Sequence, residues 1–223
     1  MRIGVAQQFS GKGRLSVELQ SRHFKVWAYE LYGTDGRVRI EFDLSIPCNV
    51  ALVVDAIVRK KLRYVHLGTP CSSFSILQKL FNKGTRTTKR HQGDGTNDKE
   101  RHGNLLVKHS LIIIHACIQH GAFWILENPK SSYMFRMPGV ARVLRLPSTQ
   151  VVQVDQCMYG LQDPVSRIKY KKATIFIGNL PSLFLLSHTC DKAHIHEPVI
   201  GQVKCEDKWT SRSVLAGAYP QVL

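Results

Sequence analysis

Apolar residues in the first two-thirds of the chain come in short runs that switch between strand and helix periods. Residues 3–9 read as a buried strand, 14–22 as a helix, and 25–30 and 38–43 as two further strands. Residues 49–61 have helical spacing, with Val50, Val53, Val54, Ile57 and Val58 on one side. Residues 64–67 predict a strand, 72–80 a helix, 105–120 a long helix and 122–127 another strand. This β-α-β-α rhythm predicts an α/β fold, a doubly wound parallel sheet with helices on both faces. Residues 150–156 and 173–178 are two later strands joined only by a loop, which predicts an antiparallel pair at the sheet's edge.

Residues 82–104 interrupt the rhythm. They carry Lys83, Arg86, Lys89, Arg90, Lys99 and Arg101 among glycines and threonines, the make-up of a basic, mobile surface loop. A long loop at this place suits a lid or substrate arm, although a solvated linker has the same composition. Near the end, Trp209 and residues 211–219 read as a terminal helix packing on the core.

The chain has 223 residues, enough for one sizeable core and a single domain over 1–223. Thirty-one Lys and Arg against 16 Asp and Glu leave a charge of +15. That excess points to a polyanionic partner, most simply nucleic acid, while a basic protein without such a partner fits the number as well. Glutamines break the apolar run at the start, against a secretory leader. The apolar stretch at 111–118 is too short for a bilayer. Six cysteines without a disulfide-framework pattern suit a reducing, intracellular compartment, the nucleus in a eukaryote.

Chemistry concentrates where strands end. The strand at 64–67 runs through Gly68, Thr69 and Pro70 to Cys71 and the expected helix. A thiol at a helix start meets backbone N–H groups and a positive dipole end, which favour the thiolate. Glu127 and Asn128 end the next strand, so a parallel pairing would set carboxyl beside thiol for nucleophilic attack with assisted protonation. An Asn-Pro turn capped by the glutamate is the plainer alternative. Earlier, Phe9-Ser10-Gly11-Lys12-Gly13 lies between the first strand and first helix, where glycines let backbone approach a ligand. Glu30 ends the second strand, where a carboxylate accepts ribose hydroxyls, and Asp43 ends the third, in reach of an adenine amino group.

In this order, Phe9–Gly13, Pro70-Cys71 with Phe74-Ser75, and Glu127-Asn128 resemble the cytosine-5 methyltransferase family. Tyr159-Gly160 and Ile175-Phe176-Ile177-Gly178 extend the resemblance over roughly the first 180 residues. It implies a Rossmann-like methyltransferase sheet and S-adenosylmethionine held by Phe9, Ser10, Gly11, Gly13, Glu30, Asp43 and Pro70. It further implies Cys71 attack on carbon 6 of cytosine in DNA, with Glu127 at ring nitrogen 3. Arg167 and Lys171 stand in a degenerate basic element, as base or phosphate contacts. Ser72 replaces the family's usual glutamine after Pro-Cys, and Pro129 its usual valine after Glu-Asn.

After the edge strands, residues 180–223 form a short extension in place of a recognition domain, which implies non-specific action, inactivity, or a partner protein supplying specificity. Without turnover the chain would be a catalytically silent nucleic-acid-binding relative. RNA is an alternative substrate, and an unrelated acyl-transferring enzyme built on Cys71, with His66 on the same strand, is a third reading. Cys190, His194 and His196 supply candidate zinc ligands, with Cys157 or Cys205 as a fourth.

Overall fold

A computed structural model describes residues 4–8, 14–29, 43–76, 78, 83–205, 207–217, 219 and 220. Two central strands, β3 (Tyr64–Leu67) and β4 (Phe123–Pro129), are rich in aromatic and branched residues on both faces, as strands covered on both sides must be. They join β1 (Gly4–Gln8), β2 (Lys25–Tyr29), β5 (Gln150–Asp155) and β7 (Ala173–Gly178) in one sheet of order β2-β1-β3-β4-β7-β5. The first four run parallel, whereas β7 is antiparallel to both β4 and β5. The doubly wound, Rossmann-like sheet with its antiparallel pair is therefore present. Within that pair β7 is inserted between β4 and β5, leaving β5 at the border.

Helices α1 (Arg14–Ser21), α2 (Pro47–Val58), α3 (Asp98–His120) and α4 (Pro138–Val143) connect the strands. Val50, Val53 and Ile57 of α2 and Val107, Ile113 and Ile114 of α3 join Val65, Leu67, Trp124, Leu126 and Ile177 in the main core. The reverse face carries Ile125, Val152, Val154, Phe176 and Leu183, with Tyr64, Tyr159 and Tyr219 packed against them. β1 to β2 and β3 to β4 step in opposite directions, so right-handed crossovers put α1 and α3 on opposite faces.

Several expectations change. The strand at 38–43 falls, but for Asp43, outside the described residues. The helix expected over 72–80 does not begin at 72: Ser72–Phe74 is a 3-10 turn, after which Ser75 is extended at φ −72° and ψ 137°. Gln78 is helical, and residues 77, 79 and 80 lie outside the described residues. Gly103 explains the close seating of that turn on α3, since a Cβ there would lie 2.2 Å from Ser73 Oγ. α3 starts at Asp98, so residues 98–104 belong to the helix and not to the loop. Its Asn97 side chain caps Glu100 N, and Gly121 ends it at φ 68°.

The basic segment before α3 is anchored inward. Arg86 is buried, its guanidinium 4.0 Å from the Phe74 ring centroid. It donates to Ser73 O (2.8 Å), Glu100 O (3.0 Å), Asn104 Oδ1 (2.9 Å) and His91 O. Buried Glu100 accepts from Thr85 N at 2.8 Å and Arg86 N at 3.2 Å. Burial pulls the guanidinium down to about 10, against the opposing charge of Glu100.

The C-terminal part differs most from expectation. Trp209 is 64% exposed on β10 (Lys208–Ser211), which forms a hairpin with β9 (Gln202–Cys205). Helix α5 is only Arg212–Leu215. Arg212 holds this segment in place, its Nε 3.0 Å from buried Asp163 Oδ2 and its Nη2 3.3 Å from Glu197. Desolvation of Asp163 is outweighed by hydrogen bonds from Ser166, Tyr170, Val165 and Arg212, which hold its carboxyl down to about 2. Among the described residues, no helix is long and apolar enough to cross a membrane.

Replacing Arg86 by Ala removes the buried donor to the Ser73 carbonyl and the buried partner of Glu100, and should lower stability by about 2–4 kcal/mol in urea denaturation. A loss under about 0.5 kcal/mol, the size of an ordinary surface substitution, would show that the segment does not rest on Arg86.

Candidate active site

Parallel pairing puts the carboxyl ends of β1, β2, β3 and β4 on one edge of the sheet, where open α/β sheets bind ligands. Leu67 pairs with Leu126 at the end of the β3–β4 ladder. Beyond it one chain turns through Gly68, Thr69 and Pro70 to Cys71, and the other continues to Glu127. Asn128 Nδ2 donates to Thr69 O at 2.6 Å, and Thr69 Oγ1 lies 3.0 Å from Ser110 Oγ on α3. Thr69, Ser110 and Asn128 are all buried, so water does not compete for these bonds.

Successive residues of a strand face opposite sides. Asn128 shares its side with Trp124 and Leu126 of the main core, and Glu127 shares the other with Ile125. Glu127 there meets Tyr219, whose hydroxyl hydrogen-bonds its carboxylate. Tyr219 Oη is 3.1 Å from His66 Nε2, and Tyr64 Oη is 3.4 Å from His66 Nδ1. With Glu127 ionised, one assignment satisfies the chain: Tyr64 donates to Nδ1, Nε2–H donates to Tyr219, and Tyr219 donates to Glu127. Burial pulls the imidazole down to about 4, which keeps it neutral as that assignment needs.

Cys71 is exposed, yet protein surrounds it closely enough that desolvation, followed by the charge of Glu127, pushes its thiol up; Lys172 opposes this. The expected thiolate-favouring helix start is thus corrected on two counts: a single 3-10 turn supplies no sustained dipole, and the thiol is held protonated. Burial also raises the Glu127 carboxyl, with Lys172 and then Tyr219 working the other way.

Lys172, next to the expected Lys171, is the cation that acts on both reactive groups, and its Nζ donates to Ala216 O at 2.7 Å. Lys171 is exposed and, with Lys172, lines a pocket that also holds Cys157, Cys190, His194 and His196. Arg167 stands exposed on a turn at φ 60°. Pro70 is half-buried in the Cys71 turn. Asp43 Oδ1 accepts from Ser45 N at 2.8 Å ahead of α2. Phe9, Ser10, Gly11, Gly13 and Glu30 lie outside the described residues. They follow β1 and β2, which end at Gln8 and Tyr29 on the Cys71 edge.

Sequence reasoning missed Tyr219 and Lys172. Tyr219 is 153 residues from His66, and no local pattern announces that contact. Lys172 was one of several lysines in a degenerate stretch.

Among solved structures the chain is similar to the crystal structure of the S. pombe Dnmt2 methyltransferase, at TM-score 0.44 and 9% identity. The match covers 86% of this chain and 56% of that one, so the chain spans little more than half its length. No family model matches, and no curated protein matches.

The electrostatics can be tested by alkylation. Because a thiol held above its ordinary range has less thiolate at a given pH, exposed Cys71 should react with iodoacetamide several-fold more slowly than exposed Cys48 at pH 8. Glu127→Gln should speed Cys71 and Lys172→Ala should slow it, each read by mass spectrometry across pH. Equal rates in all three proteins would contradict the coupling.

Proposed function

We propose that the chain is an S-adenosylmethionine-dependent methyltransferase acting on carbon 5 of cytosine in DNA through a covalent Cys71 adduct. The observation that carries the reading is the setting of Cys71 and Glu127 at adjacent parallel strand ends, locked by the Asn128–Thr69 bond. The cofactor's donor set suits the same edge: glycines 11 and 13 after the first strand, with Glu30 and Asp43 as carboxylates for ribose and adenine. When bound, it supplies an electrophilic methyl group.

The residues then divide the work. Cytosine carbon 5 is a poor nucleophile until sulfur adds at carbon 6. Cys71 passes its proton to solvent water and bonds carbon 6, and the displaced π electrons move toward carbon 5 and nitrogen 3. Glu127, whose burial favours the protonated form, hydrogen-bonds nitrogen 3 and offsets the developing charge. Carbon 5 takes the methyl group. Transfer of the carbon-5 proton to solvent water returns that electron pair to the ring double bond and breaks the sulfur–carbon bond, releasing the thiolate. Lys172 stabilises sulfur in that anionic form.

The target base must leave the stack at a cost of a few kcal/mol. The +15 charge supports a polyanionic substrate that compensates through phosphate contacts. We further propose that a partner protein supplies sequence specificity.

DNA carrying 5-fluorocytosine should trap wild-type protein covalently in the presence of the cofactor, because fluorine blocks the final proton loss. Cys71→Ala should trap none, and Glu127→Gln should slow adduct formation by about 10²–10⁴-fold. Failure to trap on several DNA contexts would overturn the DNA assignment, and trapping on RNA alone would move the substrate. One observation favours a second reading, a catalytically silent nucleic-acid binder: Tyr219 already bonds the Glu127 carboxylate. That reading requires salt-steep binding indifferent to the cofactor, and calorimetric binding of S-adenosylmethionine would exclude it.

A further inference from the structure

Beside the β5–β7 hairpin a second constellation stands apart from Cys71. Cys157 follows β5 in a 3-10 turn, and Cys190, His194 and His196 come from the segment that crosses over it. One ligand atom from each of these four lies within 4.8 Å of all the others. Cys190 Sγ is 3.7 Å from His194 Nε2 and 3.5 Å from His196 Nε2. Around a zinc ion with bonds of about 2.3 Å to sulfur and about 2.0–2.1 Å to nitrogen, a tetrahedron has sulfur–nitrogen edges of roughly 3.5 Å. The observed spacings are those edges.

The surroundings suit a metal as well. Lys192 N donates to Cys190 Sγ at 3.3 Å, a bond that supports a coordinating thiolate. His194 turns Nε2 toward Cys190 Sγ, with Nδ1 on the side of Asp191, whose Oδ1 is 3.6 Å away. Cys190 N donates to Asp155 Oδ2 at 2.8 Å, fixing the backbone at the ligand. Lys171, Lys172 and Lys192 line the pocket. Two thiolates and two neutral imidazoles around Zn²⁺ carry no net charge, so these lysines impose no large repulsion.

We propose that Cys157, Cys190, His194 and His196 form a structural zinc site. Four protein ligands fill the tetrahedron and leave no position for water, which distinguishes it from a catalytic centre. Of the two fourth ligands the sequence left open, Cys157 is in the cluster; Cys205 lies on β9 instead. The metal staples the 190–196 segment to the end of β5. It thereby steadies β8 (His196–Glu197) against β6 (Lys169–Tyr170), which leads directly into Lys172. The site stands independently of the proposed methyl transfer.

Elemental analysis of the purified full chain should find about one zinc per chain, as a single four-ligand site requires. Cys157→Ser, Cys190→Ser and His196→Ala should each lose it, whereas Cys205→Ser should retain it. Replacement by cobalt on wild-type protein should give the visible bands of tetrahedral coordination and a thiolate charge-transfer band, a readout that needs no variant to fold. Wild-type protein without zinc that also fails to take up cobalt would overturn the proposal. So would a Cys157–Cys190 disulfide in reduced-buffer preparations, or loss of metal from Cys205→Ser with retention in Cys157→Ser.

Discussion

The parallel pairing of β3 with β4, closed by one buried amide-to-carbonyl hydrogen bond, is the constraint on which the reactive edge depends. Register decides which residues leave the sheet together, and here it delivers Cys71 and Glu127. A loop of four residues after a strand end would otherwise sample many positions. Asn128 removes that freedom by holding Thr69, two residues before the thiol, while Ser110 ties the same threonine to α3. In a dry interior such a bond is strong, and its loss leaves a polar group stranded.

The electrostatics of the site follow from burial more than from charge. Desolvation is the largest influence on Cys71, Glu127, His66 and Tyr219 alike, and in each it favours the neutral form. Burial thus works toward low charge throughout a site built from a thiol, a carboxyl, an imidazole and phenols, while Lys172 opposes it at thiol and carboxyl.

Much of this was legible in the sequence, and the rest was not, for physical reasons. Strand and helix periods identify the parallel core because each element there buries a regular stripe, as Val50, Val53 and Ile57 do. The dipeptide at 127–128 and the cysteine at 71 were readable as chemistry because both sit where strands end. The start of the helix expected at Ser72 was misplaced because Phe74 serves a tertiary purpose, lying under the Arg86 guanidinium, and serines bond locally in ways that compete with helix. Arg86 itself looked like any other cation of a basic loop; nothing local distinguishes the one that turns inward. Tyr219 reaches Glu127 only through the folding of the whole C-terminal segment, which Arg212 secures to Asp163. The metal-ligand set was half visible, since three ligands are close in sequence and the fourth arrives from the far side of a hairpin.

The pleat of β4 makes the order of its last residues directional. Glu127 and Asn128 occupy opposite faces, so the carboxylate is sorted to the phenol of Tyr219 and the amide to the carbonyl of Thr69. Exchange the two, with composition unchanged, and a carboxylate would confront a carbonyl oxygen while an amide took the acid's seat. Two acceptors repel, the Cys71 loop loses its tether, and Tyr219 loses its carboxylate partner at the same stroke. Position in this strand thus behaves like a reading frame, in which a slip of one step garbles both messages at once.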